Sequence, residues 1–125
     1  MKVLRLILLV VLCLVSCGSG YDLVIPVALR GDWENVEEGI HVAVMSDDIR
    51  ISFYDERRTV SIADLVSSDP FSYDIVSTDR SFSIWHLYKS SQGFSFNLVD
   101  GELVMTYALE EGDGLSEVRL ERQGG

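Results

Sequence analysis

The side chains best suited to covalent chemistry are two thiols near the start of the chain, Cys13 and Cys17. A short basic head and an uninterrupted apolar run over residues 6–15 precede Cys17. A positive start, a short apolar run and a small residue before the cut, here Ser16, are the parts of a secretory leader. The run is shorter than the roughly 20 residues that cross a bilayer core. We therefore predict a cleaved leader at residues 1–16, and not a membrane span or a buried core helix.

The cleavage region Leu14-Val15-Ser16-Cys17 resembles the signal-peptide box of bacterial lipoproteins. This resemblance implies that the Cys17 thiol takes up a diacylglycerol and that the freed amine is acylated, with palmitate as the expected chain. Each buried methylene contributes about 0.8 kcal/mol, so two or three acyl chains hold a domain to a membrane durably. The resemblance also implies a lipid-anchored protein of the bacterial cell envelope, at the outer membrane or the periplasmic face and not in the cytoplasm. Ordinary secretion is the alternative.

The composition favours a single acidic domain. Removal of residues 1–16 leaves 109 residues, enough for one hydrophobic core. The leader holds two of the ten cations and none of the twenty anions, so the mature domain carries a formal charge of −12. Such a charge disfavours binding to nucleic acid and suits either plain solubility or a basic protein partner. With Cys13 removed and Cys17 acylated, the fold has no thiol for a disulfide or a thiolate metal site.

The other candidates for chemistry are histidines and carboxylates, and their spacing argues against a catalytic or metal site. His41 and His86 lie in different predicted strands, without a second histidine or cysteine at ligand spacing. The acidic segment 110–114 is too short for a calcium loop of the EF-hand type. The sequence contains no nucleophile elbow, zinc-protease motif or phosphate-binding glycine loop. We therefore expect no catalytic residue, no metal and no cofactor, and a protein that is not an enzyme.

Apolar residues that alternate with polar ones between regularly spaced turns predict an all-β domain. Period two gives each strand one buried and one solvated face. The turn clusters recur at close to the 8–12 residues typical of a sandwich or barrel, and Asp100-Gly101 suits a two-residue type I′ hairpin. We expect about eight antiparallel strands in a small up-and-down barrel at residues 29–123, after a lipidated tether and lead-in at residues 17–28. The alternating segments include 40–44, 49–53, 94–98 and 103–109.

Two segments do not follow this pattern. Residues 61–68 are either the end of a strand or one helical turn, because their apolar residues do not alternate. Trp85 and Leu87 are out of phase with Phe82 and Ile84, and a β-bulge near Ile84–Trp85 would account for this.

The triplet Gly31-Asp32-Trp33, followed by an antiparallel meander and a last strand that carries arginine, resembles the lipocalin-like (calycin) proteins of bacteria. The resemblance implies that Trp33 closes one end of the barrel and that an arginine of the last strand, Arg122 or else Arg119, lies over its ring. A guanidinium on an indole face contributes roughly 0.5–2 kcal/mol. The chain is shorter than full-sized lipocalins, and a small eight-stranded barrel can be filled by its own side chains.

Large aromatic side chains either build the core of this barrel or line a cavity at its open end. The pocket interpretation predicts an envelope binding protein that holds a small apolar ligand in the barrel, next to Phe53, Phe82, Phe96 and Tyr107. The alternative is an acidic interaction protein that binds or inhibits a basic protein partner and has no small-molecule ligand. Charge steering predicts that such a complex weakens as the salt concentration rises.

Overall fold

The computed structural model describes residues 23–69, 71–87, 92–109 and 114–123. The alternating segments form β-strands, as their period predicts. A 3₁₀ turn at Val27–Leu29 precedes them, and one short helix, α1, spans Ile62–Ser68. The nine strands are β1 Gly31–Asn35, β2 Ile40–Val44, β3 Ile49–Phe53, β4 Arg58–Ser61, β5 Tyr73–Ser77, β6 Ser81–His86, β7 Gly93–Val99, β8 Glu102–Ala108 and β9 Ser116–Arg122.

All nine strands belong to one antiparallel sheet with the order β4-β3-β2-β1-β9-β8-β7-β6-β5. The prediction of an all-β class is confirmed, whereas the count of about eight strands is wrong. Short strands explain the miscount, because β4 has a single buried residue, Val60, and β5 has none. Such strands show little of the alternation by which strands are counted.

The sheet is curled into a half-barrel whose two edges are β4 and β5. Consecutive strands are neighbours except across these edges, and the first strand, β1, pairs with the last, β9. We call the end with Gly31, Val44 and Arg122 the lower end, and the end with Phe53 and Tyr107 the upper end. The connection from β4 to β5 therefore returns from the lower end to the upper end, and α1 lies in it.

The core fills the concave side of the half-barrel with the apolar residues of alternating positions. β2 and β3 each place three buried residues on the same face, and β6 buries every second residue. Leu23, Ile25 and Leu29, which precede β1, are also buried in this core. The largest fully buried side chains are Trp33, Phe82, Phe96, Ile25, Leu29, Ile49, Ile51, Ile62, Ile84, Leu103, Met105 and Leu120.

Ser61 ends β4, and the helix that follows it, Ile62–Ser68, has its first turn capped from two directions. The Ser61 hydroxyl accepts a hydrogen bond from the Asp64 backbone N–H, which is the usual N-cap arrangement. The buried Asp48 carboxylate accepts from the Ala63 N–H at 2.9 Å and from the Ser61 hydroxyl at 2.9 Å. Asp48 also accepts from the Arg50 guanidinium at 3.2 Å. This carboxylate therefore ties the start of α1 to the β2–β3 turn.

The two-residue hairpin predicted at Asp100-Gly101 is present between β7 and β8. Val99 pairs with Glu102, and the two residues between them have φ angles of 51° and 81°. Positive φ at both central positions is what a type I′ turn requires.

The predicted bulge near Ile84–Trp85 is absent, and β6 is regular through Phe82, Ile84 and His86. Trp85 lies on the outer face, where its ring covers Gly93 of β7. A Cβ at position 93 would collide with the Ile84 carbonyl oxygen and lie 2.5 Å from Trp85 Cε3, so this position admits only glycine. Trp85 is out of phase with Phe82 and Ile84 because it faces outward, and the residue that follows it, His86, is buried.

Among the described residues, no helix has the length and apolarity needed to cross a membrane.

Candidate functional site

Trp33 lies in β1, towards the lower end of the half-barrel. Its side chain is fully buried, and its indole N–H donates to the Leu29 carbonyl at 2.8 Å. The Arg122 guanidinium carbon lies 4.2 Å from the ring centroid. This is the contact that the lipocalin resemblance implies for the last strand. Arg119, the other candidate, instead faces Glu102 at 3.5 Å.

Arg122 also holds the chain segment that enters β1. Its Nη1 donates to the Arg30 carbonyl at 2.7 Å and its Nη2 to the Ala28 carbonyl at 3.1 Å. A Cβ at Gly31 would lie 2.7 Å from the same Nη1, and Gly31 has φ +132°. Glycine is therefore required at position 31 both for its backbone conformation and for the approach of the guanidinium. Together, Gly31 and Trp33 of β1 and Arg122 of β9 join the first strand of the sheet to the last.

Aromatic side chains cluster at the opposite, upper end. The rings of Phe53 and Tyr107 are 5.5 Å apart between centroids, and those of Phe94 and Tyr107 are 6.3 Å apart. Phe94 in turn stacks on Phe96 at 6.2 Å. Because Phe53 belongs to β3 and the other rings to β7 and β8, the cluster bridges the concave side of the half-barrel.

Two hollows lined by described residues lie in this upper region and share Ala108 and Leu109. The first, the upper crevice, has a volume of about 60 Å³ and is lined by Arg58, Val60, Leu65, Tyr73, Gln92, Gly93, Phe94, Ala108 and Leu109. The second, the rim cleft, has a volume of about 250 Å³ and is lined by Phe53, Glu56, Tyr107, Ala108, Leu109, Gly114 and Ser116. The upper crevice includes residues from both sheet edges and from α1.

The four predicted pocket residues divide into two pairs. Phe53 and Tyr107 line the rim cleft. Phe82 and Phe96 are 1% and 0% exposed and pack into the core, and they line neither upper hollow. Sequence reasoning did not assign Leu65 or Arg58 to a site. Arg58 lies in β4 and Leu65 in α1, and these elements meet β7 and β8 only in the folded chain. The sequence around each residue therefore carries no signal of a site.

Burial shifts the titration of the two tyrosines in this region. It raises the pKa of Tyr73, and the Asp69 carboxylate raises it further. Burial likewise raises the pKa of Tyr107, with contributions in the same direction from Glu38 and Glu56, while a hydrogen bond with Ser116 acts in the opposite direction. Both hydroxyls are therefore neutral at physiological pH and can donate hydrogen bonds.

The two histidines each face an aspartate instead of forming a common site. His41 Nε2 lies 3.4 Å from Asp32 Oδ1 on the outer face, and His86 Nε2 lies 3.5 Å from Asp69 Oδ2. The His86 ring also makes an edge contact with Tyr73 at 5.1 Å. No group of three or more histidine, cysteine or acidic side chains in the described ranges is placed to hold a metal ion.

The outer face of the sheet carries a concentration of negative charge where β1, β9 and β8 meet. Glu34 lies directly opposite Glu121 in the β1–β9 pairing. Like charges in directly opposed positions destabilise a sheet. Both residues line a cleft of about 380 Å³, the acidic cleft, which also contains Asn35, Val36, Glu37, Glu102, Arg119 and Gln123. Four glutamates and one arginine give this cleft a formal charge of −3.

The predicted lipid attachment residue, Cys17, and the predicted leader lie outside the described residues. The chain matches no family model, and comparison with curated proteins and with solved structures finds no match. The lipoprotein and lipocalin-like resemblances therefore stay predictions.

Replacement of Trp33 tests whether its indole closes the lower end. We expect Trp33→Ala to lower the free energy of unfolding by about 3–5 kcal/mol, because it removes a buried indole and the surface on which Arg122 stacks. Urea unfolding followed by circular dichroism measures the loss. Trp85→Ala, which removes a half-buried tryptophan from the outer face, is the matched control and should cost less. A loss below about 1 kcal/mol for Trp33→Ala would show that this residue is peripheral.

Proposed function

We propose that this chain is a lipid-anchored protein of the bacterial cell envelope whose half-barrel binds a small amphipathic ligand at its upper end. Support for the ligand site comes chiefly from one observation, the apolar upper crevice where the two sheet edges approach each other. Val60 of β4, Leu65 of α1 and Phe94 of β7 line it together with Leu109. Apolar walls with a few polar groups are typical of small-molecule sites.

The size of the crevice restricts what it can hold. The volume of the crevice is about 60 Å³. Complete pockets for drug-sized ligands are several times larger, about 300–1,000 Å³. The ligand we propose is therefore short, or places only its apolar end in the crevice. The rest of such a ligand would lie outside the crevice, beside the residues that line it.

Titration with hexan-1-ol and with hexanoate tests this site, with the full-length protein labelled at its leucine and valine methyl groups for NMR. We expect at least one of these probes to shift the methyl signals of Val60 and Leu109. Leu65→Phe should weaken binding because the larger ring occupies the crevice. Leu98→Phe is the control, since Leu98 is half-buried but lines neither upper hollow. If neither probe shifts these methyl signals, the proposed ligand site is wrong.

The membrane anchor is supported by the residues around Cys17 and has its own test. Cells that express the chain are grown with a radiolabelled fatty acid. We expect the label in the original protein and in Cys13→Ala, and its loss in Cys17→Ala, which should also retain the leader. Label that persists in Cys17→Ala would refute lipid attachment at this residue.

A second candidate function, binding of a basic protein segment, is favoured by the Glu34–Glu121 pair. The two strands hold these carboxylates opposite each other, and a cationic side chain placed between them would relieve their repulsion. Glu37 and Glu102 extend the charge along the same cleft. A lysine-rich segment of a partner protein is the ligand class that fits this charge.

Glu121→Gln tests the acidic cleft against a control in the same strand, Glu117→Gln, which does not line it. Removal of the repulsion should raise the free energy of unfolding by about 0.2–1 kcal/mol. The same change should weaken binding of a hexalysine peptide in a fluorescence titration at low salt. Equal effects of the two variants, or peptide binding that is insensitive to salt, would contradict a role for this cleft.

A further inference from the structure

We infer that the upper crevice selects an anionic amphiphile, a short apolar chain with a carboxylate or a similar headgroup, and that Arg58 binds the headgroup. This inference rests on the proposed ligand site and gives the chemical class of its ligand. It depends on the placement of one cation beside an apolar hollow in a strongly acidic domain.

Among the residues that the structure describes, Arg58 is the one arginine that lines the upper crevice. It is solvent-exposed, and it lies opposite Phe53 in the β3–β4 pairing, beside the two upper hollows. Its neighbour along the lining, Val60, is buried in the core. A ligand chain that packs against Val60 therefore has a guanidinium near one end.

The other arginines of β-strands within the described ranges already have partners. Arg50 binds the Asp48 carboxylate, Arg119 faces Glu102, and Arg122 stacks on Trp33. The Arg58 side chain, in contrast, forms neither a hydrogen bond nor an ion pair with another described residue. Its planar guanidinium is thus available to a carboxylate, which it can bind through two parallel hydrogen bonds.

The charged residues around the two hollows favour one orientation of the ligand, with its anionic headgroup at Arg58. Glu56 lines the rim cleft, and the carboxylate of Glu38 acts on Tyr107 in the same cleft. An anionic headgroup is repelled there and attracted at Arg58. The formal charge of −12 on the mature domain disfavours anions over most of its surface, so anion binding at this end depends on the local cation.

A comparison of hexanoate with hexan-1-ol tests the inference, because both probes carry the same chain and only one is charged. The probes are titrated into the full-length protein at low salt, and the methyl signals of Val60, Leu65 and Leu109 report binding. We expect hexanoate to bind more tightly than hexan-1-ol. Arg58→Gln should weaken hexanoate binding by about three- to fivefold, as expected for an exposed ion pair, and leave hexan-1-ol binding unchanged.

Arg57→Gln is the matched control, since it removes the same charge from the adjacent residue, which does not line the crevice. Hexanoate binding should change little in this variant. Equal losses in the Arg57 and Arg58 variants, or hexanoate binding no tighter than that of hexan-1-ol, would overturn the inference and leave the proposed site standing. If neither probe reaches the three methyl groups, the inference and the proposed ligand site both fall.

Discussion

The stacking of Arg122 on Trp33 is the interaction on which the arrangement of this half-barrel depends. It joins the last strand to the first, and these two strands are far apart in the chain. The same guanidinium holds the carbonyls of Ala28 and Arg30, so it also directs the entry into β1. Gly31 leaves the space that this arginine needs. Cation–π stacking, charge-assisted hydrogen bonds and a backbone requirement therefore act together at the lower end.

The upper end and the sheet edges are built differently. Between β4 and β5 the described chain has no strand pairing, and the seven-residue helix α1 lies in the connection instead. Its start is fixed by Asp48 and Ser61, whereas its remaining contacts with the core are apolar side chains such as Val66 and Leu65.

Features that depend on residues close together in the chain could be predicted from the sequence, whereas features that depend on distant residues could not. The alternation in β2 and β3 and the Asp100-Gly101 turn are local patterns and are present as predicted, whereas β8 buries Leu103, Val104 and Met105 in a row. The cap of α1 depends on Asp48, thirteen to fifteen residues before its partners, and Trp85 of β6 packs over Gly93 in the next strand. Arg58 and Leu65 meet Phe94 only because the sheet curls. Local patterns were therefore sufficient to predict most of the strands. The cap of α1, the outward orientation of Trp85 and the upper crevice can be recognised only in the folded structure.

Native-state hydrogen exchange tests most directly whether the lower end is the stable part of the molecule. We expect the amides of the β1–β9 pairing, including the Gln123 N–H that donates to the Asp32 carbonyl at 2.8 Å, to exchange only through global unfolding. The amides of α1 should exchange through a local opening of lower free energy. Protection in α1 equal to that of the β1–β9 amides, or faster exchange in the β1–β9 pairing than in α1, would contradict the account.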